Sequence, residues 1–394
     1  MNMSRTLVKK ALVIGLLTGM FSSAQAQNLE PFEGVQPSVL HDFRVVPYAE
    51  GVISPWSMNW LPNGDMLVTE KYGDLRIVRN GEVLEGSVPG VPEVFSRGQG
   101  GLFDVLPHPD FANNQLLYLS FSKPQGEGAS ATAIVRGRFV NDELVDVEEI
   151  FVADHQGASH YGGRLAFDAD GYLYLTLGDR QAPPSGDLES HPAQVTTNHQ
   201  GVIVRLNDDG STPTDNPFSG MSGYAPEIYS YGHRSPQGLA FHPVTGVMYM
   251  TEHGPQGGDE LNVIQPGQNY GWPVVGHGVN YGPGTPIHET LSQEGMVDPI
   301  HYWVPSIATS GLMIYNGSQF PRWSGSVFSG ALRGEQVARI TLSPDGSAAV
   351  TEETLVPGIG RVRDIRQGPD GYIYLAIEDR SRQPTAIVRL EPAN

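Results

Sequence analysis

The sequence predicts an all-β chain folded as a six-bladed β-propeller. Three observations carry that prediction. Beyond the first 26 residues helical periodicity is nearly absent, and short alternating apolar runs bounded by Gly, Pro and Asp-Gly turns replace it. One such unit, an apolar run, a Pro/Asp/Gly turn and a hydrophobic strand, recurs six times. The 48 glycines and 31 prolines suit many tight turns between regular strands rather than disorder. Paired short strands repeated in this way read as radial blades. A two-sheet sandwich rarely needs this length or six copies of the unit.

The elements follow in chain order. Residues 1–26 read as a secretory signal: Arg5, Lys9 and Lys10 precede the apolar run Ala11 to Phe21, and Ala24-Gln25-Ala26 offers small residues for cleavage near Ala26. The run is too short for a spanning helix and no stop-transfer pattern follows. A periplasmic or secreted bacterial protein is expected, not an integral membrane one. Residues 27–34 form an N-terminal extension, and 35–392 a single propeller. The repeats begin MNWLPNGDMLVTEKYGDLRIV from Met58, LFDVLPHPDFANNQLLYLSFS from Leu102 and LAFDADGYLYLTLGD from Leu165. LAFHPVTGVMYMTEHG from Leu239, a weaker MIYNGSQFPRWSGSVFSGAL from Met313 and IRQGPDGYIYLAIED from Ile365 complete them. Gly/Pro-rich insertions occupy 181–200 and 264–290. In a propeller, polar residues at equivalent inter-strand positions of different blades converge on one mouth of the channel.

There is no cysteine, so neither disulfides nor a thiolate metal site contributes, and a large core must stabilise the fold. The formal net charge of −19 argues against nucleic acid and anionic membranes as partners. It also makes any cluster of arginines conspicuous.

DADG at 168–171 lacks the further ligands of a calcium loop and reads as a hairpin turn, as do 62–64 and 369–371. The stretch TEHGPQGGDELNVIQPGQNYGWP (251–273) sets Asp259 and Glu260 among glycines that expose backbone carbonyls, the oxygen donors calcium prefers. Solvated loop carboxylates are the plainer reading of the same pattern. Arg234 and Arg333 each precede a blade strand, and Arg361 and Arg363 alternate, so the latter two share a face of an extended segment. Converged, these four would bind a polyanion through forked hydrogen bonds. Singly, each is as readily a surface ion pair, with Asp364 or Glu335 as partner. In SHYGGR (159–164), His160 stands where a loop enters a strand, before two glycines that let something approach closely.

Taken together, GQGGLFDVLPHPDF, HYGGRLAF, YGHRSPQGLAFHP, EHGPQGGDELN, NYGWP and GRVRD, in that order along nearly the whole chain, resemble the soluble aldose sugar dehydrogenases that use pyrroloquinoline quinone (PQQ) and calcium. That resemblance implies a six-bladed propeller with the quinone over the channel mouth. It implies that His160 is the general base, that Gln99 lies beside the reacting sugar hydroxyl, and that Arg234 sits near the quinone carbonyls. Arg361 and Arg363 would hold the cofactor's carboxylates. Gly254 and Pro255 would give carbonyls to a calcium bridging protein and PQQ, and Glu260 with the Tyr270 carbonyl would hold a further, structural calcium.

Three positions depart from the family pattern. Ser235 replaces an asparagine beside the quinone, Arg333 stands where lysine is common, and Ser159 replaces an aspartate that precedes the base in the glucose dehydrogenase branch. The implied reaction oxidises an aldose at C1. Imidazole, with an ordinary pKa of about 6.5, suits proton removal near neutrality. The quinone accepts hydride, calcium polarises it, Arg234 stabilises the developing charge, and Gly162 and Gly163 admit sugar and cofactor. Electrons then pass to a periplasmic or artificial acceptor, and a monomer is expected. Two rivals are a calcium-dependent sugar lactonase, which needs metal-ligating carboxylates at the mouth, and a non-catalytic carbohydrate-binding propeller with exposed aromatics such as Trp272 and Trp303.

Overall fold

A computed structural model describes residues 29–126 and 128–393. The signal segment and its cleavage site lie outside the described residues. Among the described residues no helix is long and apolar enough to cross a membrane.

Among the described residues twenty-four strands form six four-stranded antiparallel sheets. Blade one comprises Pro55–Trp60, Met66–Glu70, Leu75–Arg79 and Glu82–Val83; blade two comprises Leu102–Pro107, Leu116–Pro124, Ser130–Val140 and Glu143–Val152. Blade three has Leu165–Phe167, Leu173–Leu177, Val202–Leu206 and Ile228–Tyr231, and blade four Pro236–Phe241, Met248–Glu252, Asp259–Ile264 and His301–Trp303. Blade five has Thr309–Ile314, Val327–Ala331, Gln336–Leu342 and Ala349–Leu355. Blade six takes Arg361–Gln367, Ile373–Glu378 and Pro384–Pro392 from the chain's end and Phe43–Ile53 from its beginning. In that pairing Phe43 faces Pro392 and Ile53 faces Pro384. The first strand of every blade touches the first strand of the next, from one round to six and back to one, so the ring is closed. The six sequence repeats span the first two strands of the six blades, the first running on into the third strand of blade one.

Each blade is buried on both faces, which explains why its second strand reads as a nearly unbroken apolar run. Leu173, Leu175 and Leu177 pack toward blade two, while Tyr174 between them packs toward blade four. One apolar cluster fills each of the six inter-blade gaps. Truncating one such leucine to alanine would cost about 2–5 kcal/mol. Phe32, in the N-terminal extension, joins Trp323 and Phe43 in the cluster between blades five and six.

The turns joining first and second strands lie at the channel end away from the loops that enter the first strands. DADG is one of them: Asp168 Oδ1 accepts the N–H groups of Asp170 and Tyr172 at 3.0 and 2.9 Å, and Gly171 has φ +87°. At the channel itself, buried charges tie the ring together. Arg164 Nη1 lies 3.1 Å from Asp364 Oδ1 and 3.6 Å from Asp104 Oδ1, and Arg366 bridges the same two carboxylates at 3.0 and 3.3 Å. Ser57 donates to Asp104, Met58 N–H to Asp364, and Arg164 Nε to the Gln237 carbonyl, so five blades share one network.

Candidate active site

At the mouth opposite those hairpin turns, two kinds of segment meet: loops entering the first strands and the ends of the second strands. Between them lies a cavity of about 480 Å³, lined by Lys71, Arg333, Arg361, Arg363 and Arg380 around one carboxylate, Glu378. Trp56, Phe103 and Tyr161 pack together as its aromatic wall. The Arg164 guanidinium of the channel network lies 4.3 Å from the centre of the Trp56 ring and supports it from behind. Arg363 Nε donates to Glu378 Oε2 at 2.8 Å, and Arg361 Nη1 to the Leu332 carbonyl at 3.0 Å. Burial opposes ionisation of Glu378, yet Arg363 and Arg361 hold its carboxyl below the usual range. Burial first, and then Arg363, keep the Lys71 ammonium below its usual pKa. Cations crowded enough to depress one another, in a chain of net charge −19, form a site short of negative charge.

Beside this cavity is a second, of about 250 Å³, bounded by His160, Asp179, Arg234 and Trp272; Pro255 and Tyr281 line both. His160 has φ +42°, a conformation rare for a residue with a Cβ. Gln99 Oε1 accepts its N–H at 2.7 Å and helps to hold it there. Its Nδ1 lies 2.5 Å from Asp179 Oδ1. Asp179 is buried, and its other oxygen accepts from the Trp272 indole at 2.8 Å. Burial would raise the Asp179 pKa, but the His160 hydrogen bond, the charges of His160 and Arg234 and the Gln181 N–H outweigh it and hold the carboxyl low. An ionised carboxylate on Nδ1 fixes the tautomer that leaves Nε2 as acceptor.

Arg234 spans the two chemistries. Its Nη1 donates to the carbonyls of His253 at 3.0 Å and Gly254 at 2.6 Å, and its guanidinium lies 5.2 Å from the Trp272 ring centre. Below Gly254 and Pro255 is a small cavity of about 20 Å³ reached by Glu252, Glu260 and Tyr270, room for about one ion or water. Burial, and then the Glu252 carboxylate, push the Glu260 carboxyl well above the usual range. Asn262 Oδ1, beside both carboxylates, is buried without a hydrogen-bond partner. Among the described residues no group of three or more His, Asp or Glu side chains gathers to hold a metal unaided. A hard cation sharing carboxylate and carbonyl oxygens there would relieve the repulsion and satisfy the orphaned amide oxygen. The donor set therefore fits calcium, and the cationic cavity fits a polyanionic cofactor.

The residues singled out in the sequence mostly assemble. Gln99, Arg333, Arg361, Arg363, Gly254 and Pro255 line the cationic cavity, His160 and Arg234 the adjoining one, and Glu260 and Tyr270 the small one. Ser235 does not join them. It is buried behind the wall, its hydroxyl accepting from the Gln237 amide at 3.3 Å. The ion-pair partners differ from those expected: Asp364 serves Arg366 and Arg164, and Glu378 serves Arg361 and Arg363. The paired glycines also have another cause. A Cβ on Gly162 would lie 2.3 Å from the Thr176 carbonyl oxygen, and one on Gly163 2.7 Å from the Phe103 ring, so they make room for the protein itself. Trp272 and Trp303 are buried, with their indoles bonded to Asp179 and Glu352, and neither offers a stacking face to solvent.

Sequence reasoning missed Lys71, Asp179, Glu378 and Arg380. The signal was present, since all four stand at or just past the end of a blade's second strand, in TEK, LGDR and IEDR. Laying the repeats over one another places them beside His253 and Arg333.

The closed six-bladed ring thus sets a carboxylate-oriented imidazole beside a cationic cavity at one mouth. The chain belongs to the Glucose / Sorbosone dehydrogenase family, whose model matches residues 52–389. It is 39% identical to aldose sugar dehydrogenase YliI of Escherichia coli strain K12 over 86% of this chain and 90% of that protein. A crystal structure of a glucose dehydrogenase superposes with TM-score 0.82 at 41% identity, covering 89% of this chain and 99% of the other. The PQQ-bound aldose sugar dehydrogenase of Streptomyces coelicolor superposes with TM-score 0.71 at 30% identity, covering 89% and 98%.

Proposed function

We propose that this protein is a PQQ- and calcium-dependent aldose dehydrogenase that oxidises the C1 hydroxyl of a ring-form sugar to the lactone. When bound, PQQ supplies the two-electron acceptor, calcium polarises it, and the electrons leave for a separate periplasmic or artificial acceptor. The chain's own residues do the rest. His160, with Nδ1 committed to Asp179, presents Nε2 to take the hydroxyl proton. Asp179 stabilises the imidazolium that results. Arg361 and Arg363, with Lys71, Arg333 and Arg380, would hold the cofactor's carboxylates. The carbonyls of Gly254 and Pro255 would hold the calcium that serves PQQ, and Glu260 with the Tyr270 carbonyl a further, structural calcium. Trp272 closes the pocket behind Asp179 and keeps water from that carboxylate.

One observation carries this reading: the His160–Asp179 pair opens into a cavity that shares walls with the cation-lined one. The cationic cavity disfavours a metal-dependent lactonase, which has no use for Lys71 and four arginines gathered at the mouth. The test is to add PQQ and calcium to the purified protein and follow aldose-dependent dye reduction. His160→Ala should still bind PQQ, seen by its absorbance, while turnover falls about 10²–10⁴-fold. Near-normal turnover in that variant would refute the base assignment.

A further inference from the structure

A buried cation without a counter-ion stands behind the wall of the cationic cavity. Arg180 is 8% exposed, and its Nε and Nη1 are buried with no hydrogen-bond partner. Its Nη2 donates to the carbonyls of Ser130 at 3.1 Å and Gly157 at 2.5 Å. The guanidinium carbon lies 3.8 Å from the centre of the Tyr161 ring, and Tyr161 lines the cavity whereas Arg180 does not. We propose that Arg180 is a positioning residue for the oxidation, acting through Tyr161: it seats that wall of the cofactor cavity and sets behind it an uncancelled positive charge that favours the reduced cofactor. The inference rests on the aldose dehydrogenase reading and adds a residue to it.

The backbone is shaped for this contact. Arg180 has φ +58° and Gln181 +62°, two successive left-handed residues that are not glycine, each at a cost to folding. The turn lets Asp179 meet His160 while the next side chain meets Tyr161. A Cβ on Gly157 would lie 3.2 Å from Arg180 Nε, so the glycine leaves the guanidinium its place. The Tyr161 hydroxyl donates to the Gly157 carbonyl at 3.1 Å and lies 2.5 Å from the Ser130 hydroxyl oxygen. Ring and guanidinium are therefore clamped by the same two residues.

The charge is the second argument. Arg164 supports Trp56 at the other end of the wall, but Asp364 and Asp104 neutralise it. Arg180 joins no ion pair among the described residues. Asp179 precedes it in the chain, yet the oxygens of that carboxylate are committed to His160, Trp272 and the Gln181 N–H, and Arg234 already answers its charge. A guanidinium stays ionised at any working pH, and away from water its field is screened little. An apolar chain in its place would cost the fold nothing or relieve it. The charge serves a site where hydride arriving from the sugar adds one negative charge.

The test is a spectroelectrochemical titration of the full chain loaded with PQQ and calcium. Arg180→Met keeps a flexible stem and loses the charge. At a fixed potential its ratio of reduced to oxidised cofactor should fall about tenfold, a downward shift of about 30 mV for a two-electron couple. Its kcat should fall with the sugar KM nearly unchanged, and its melting temperature should not fall. Arg180→Lys should restore most of the potential. Gly157→Ala, which displaces the guanidinium without removing it, should lower the potential by less. An unchanged potential in Arg180→Met overturns the proposal, as does an equal fall in Arg180→Lys. If Arg180→Met does not fold, Gly157→Ala decides, and a wild-type potential there overturns it. A wild type that binds no PQQ brings down the dehydrogenase reading itself, and this inference with it.

Discussion

Asp179 and His160 are joined across a hairpin: the carboxylate, fixed on one oxygen by the Trp272 indole, meets Nδ1 at 2.5 Å with the other. His160 enters the first strand of blade three and Asp179 leaves the second, so the pairing of those strands sets their distance. Asp179→Asn keeps the size and removes the charge that stabilises the imidazolium. Turnover should fall about 10³–10⁴-fold with the melting temperature nearly unchanged. A loss under tenfold at every pH would show that the carboxylate does not act on the base.

Arg363 tests the anion site. Replacing it with glutamine removes a forked donor and leaves Glu378 less compensated in the cavity. PQQ affinity, read by titrating the apoprotein, should fall about 10–100-fold, matching about 1.5–3 kcal/mol for a charged hydrogen bond. The deficit should shrink as salt is lowered, because the remaining cations then act over longer range. Unaltered affinity would move the cofactor elsewhere.

Calcium is tested by stability. With calcium at 100 times its dissociation constant the folded state would gain about 2.7 kcal/mol. Exhaustive chelation should therefore lower the melting temperature and abolish turnover, and added calcium should restore both. In Glu260→Gln, chelation should shift melting by much less. Wild-type melting that ignores chelator contradicts both metal assignments.

A separate pH effect is expected from His199, whose ring lies between Asp154 and Glu227, 2.8 Å from the latter, with His155 close by. Burial alone would lower its pKa, but hydrogen bonds to Asp154 and Glu227 outweigh burial and raise it to about 9. A raised folded-state value stabilises fully below the free value of about 6.5 and is lost as pH climbs through about 9. Denaturation midpoints of the wild type should decline across that window. His199→Gln should be less stable at pH 6 and about equal at pH 10. Parallel curves would remove the role.

The ring was legible because burial on both blade faces imposes a repeated strand–turn–strand text, from Met58 to Ile365. The arginines of GRVRD were legible because alternation fixes the face they share. Asp179 was not: the family pattern points to position 159, the chain neighbour, where this sequence has serine, whereas strand pairing brings a carboxylate to His160 from 19 positions on. The glycines after His160 were read as space for a ligand, and Gly162 does line the cationic cavity. Their constraint is the Thr176 carbonyl and the Phe103 ring, contacts that no one-dimensional pattern displays. Trp272 counted as an exposed aromatic under the carbohydrate-binding rival, whereas it is buried and its indole anchors the Asp179 carboxylate.

Blade six joins the strand that follows the N-terminal extension to the last strand of the chain, Phe43 against Pro392. During synthesis the N-terminal strand of this clasp can pack against blade one through Ala49 and Val52 but has no strand to pair with until the chain's end is made. Until the final segment arrives, blades one and five each expose a flank meant for blade six. The toroid is therefore assembled in a last, long-range step, and truncation at either terminus would open the same seam.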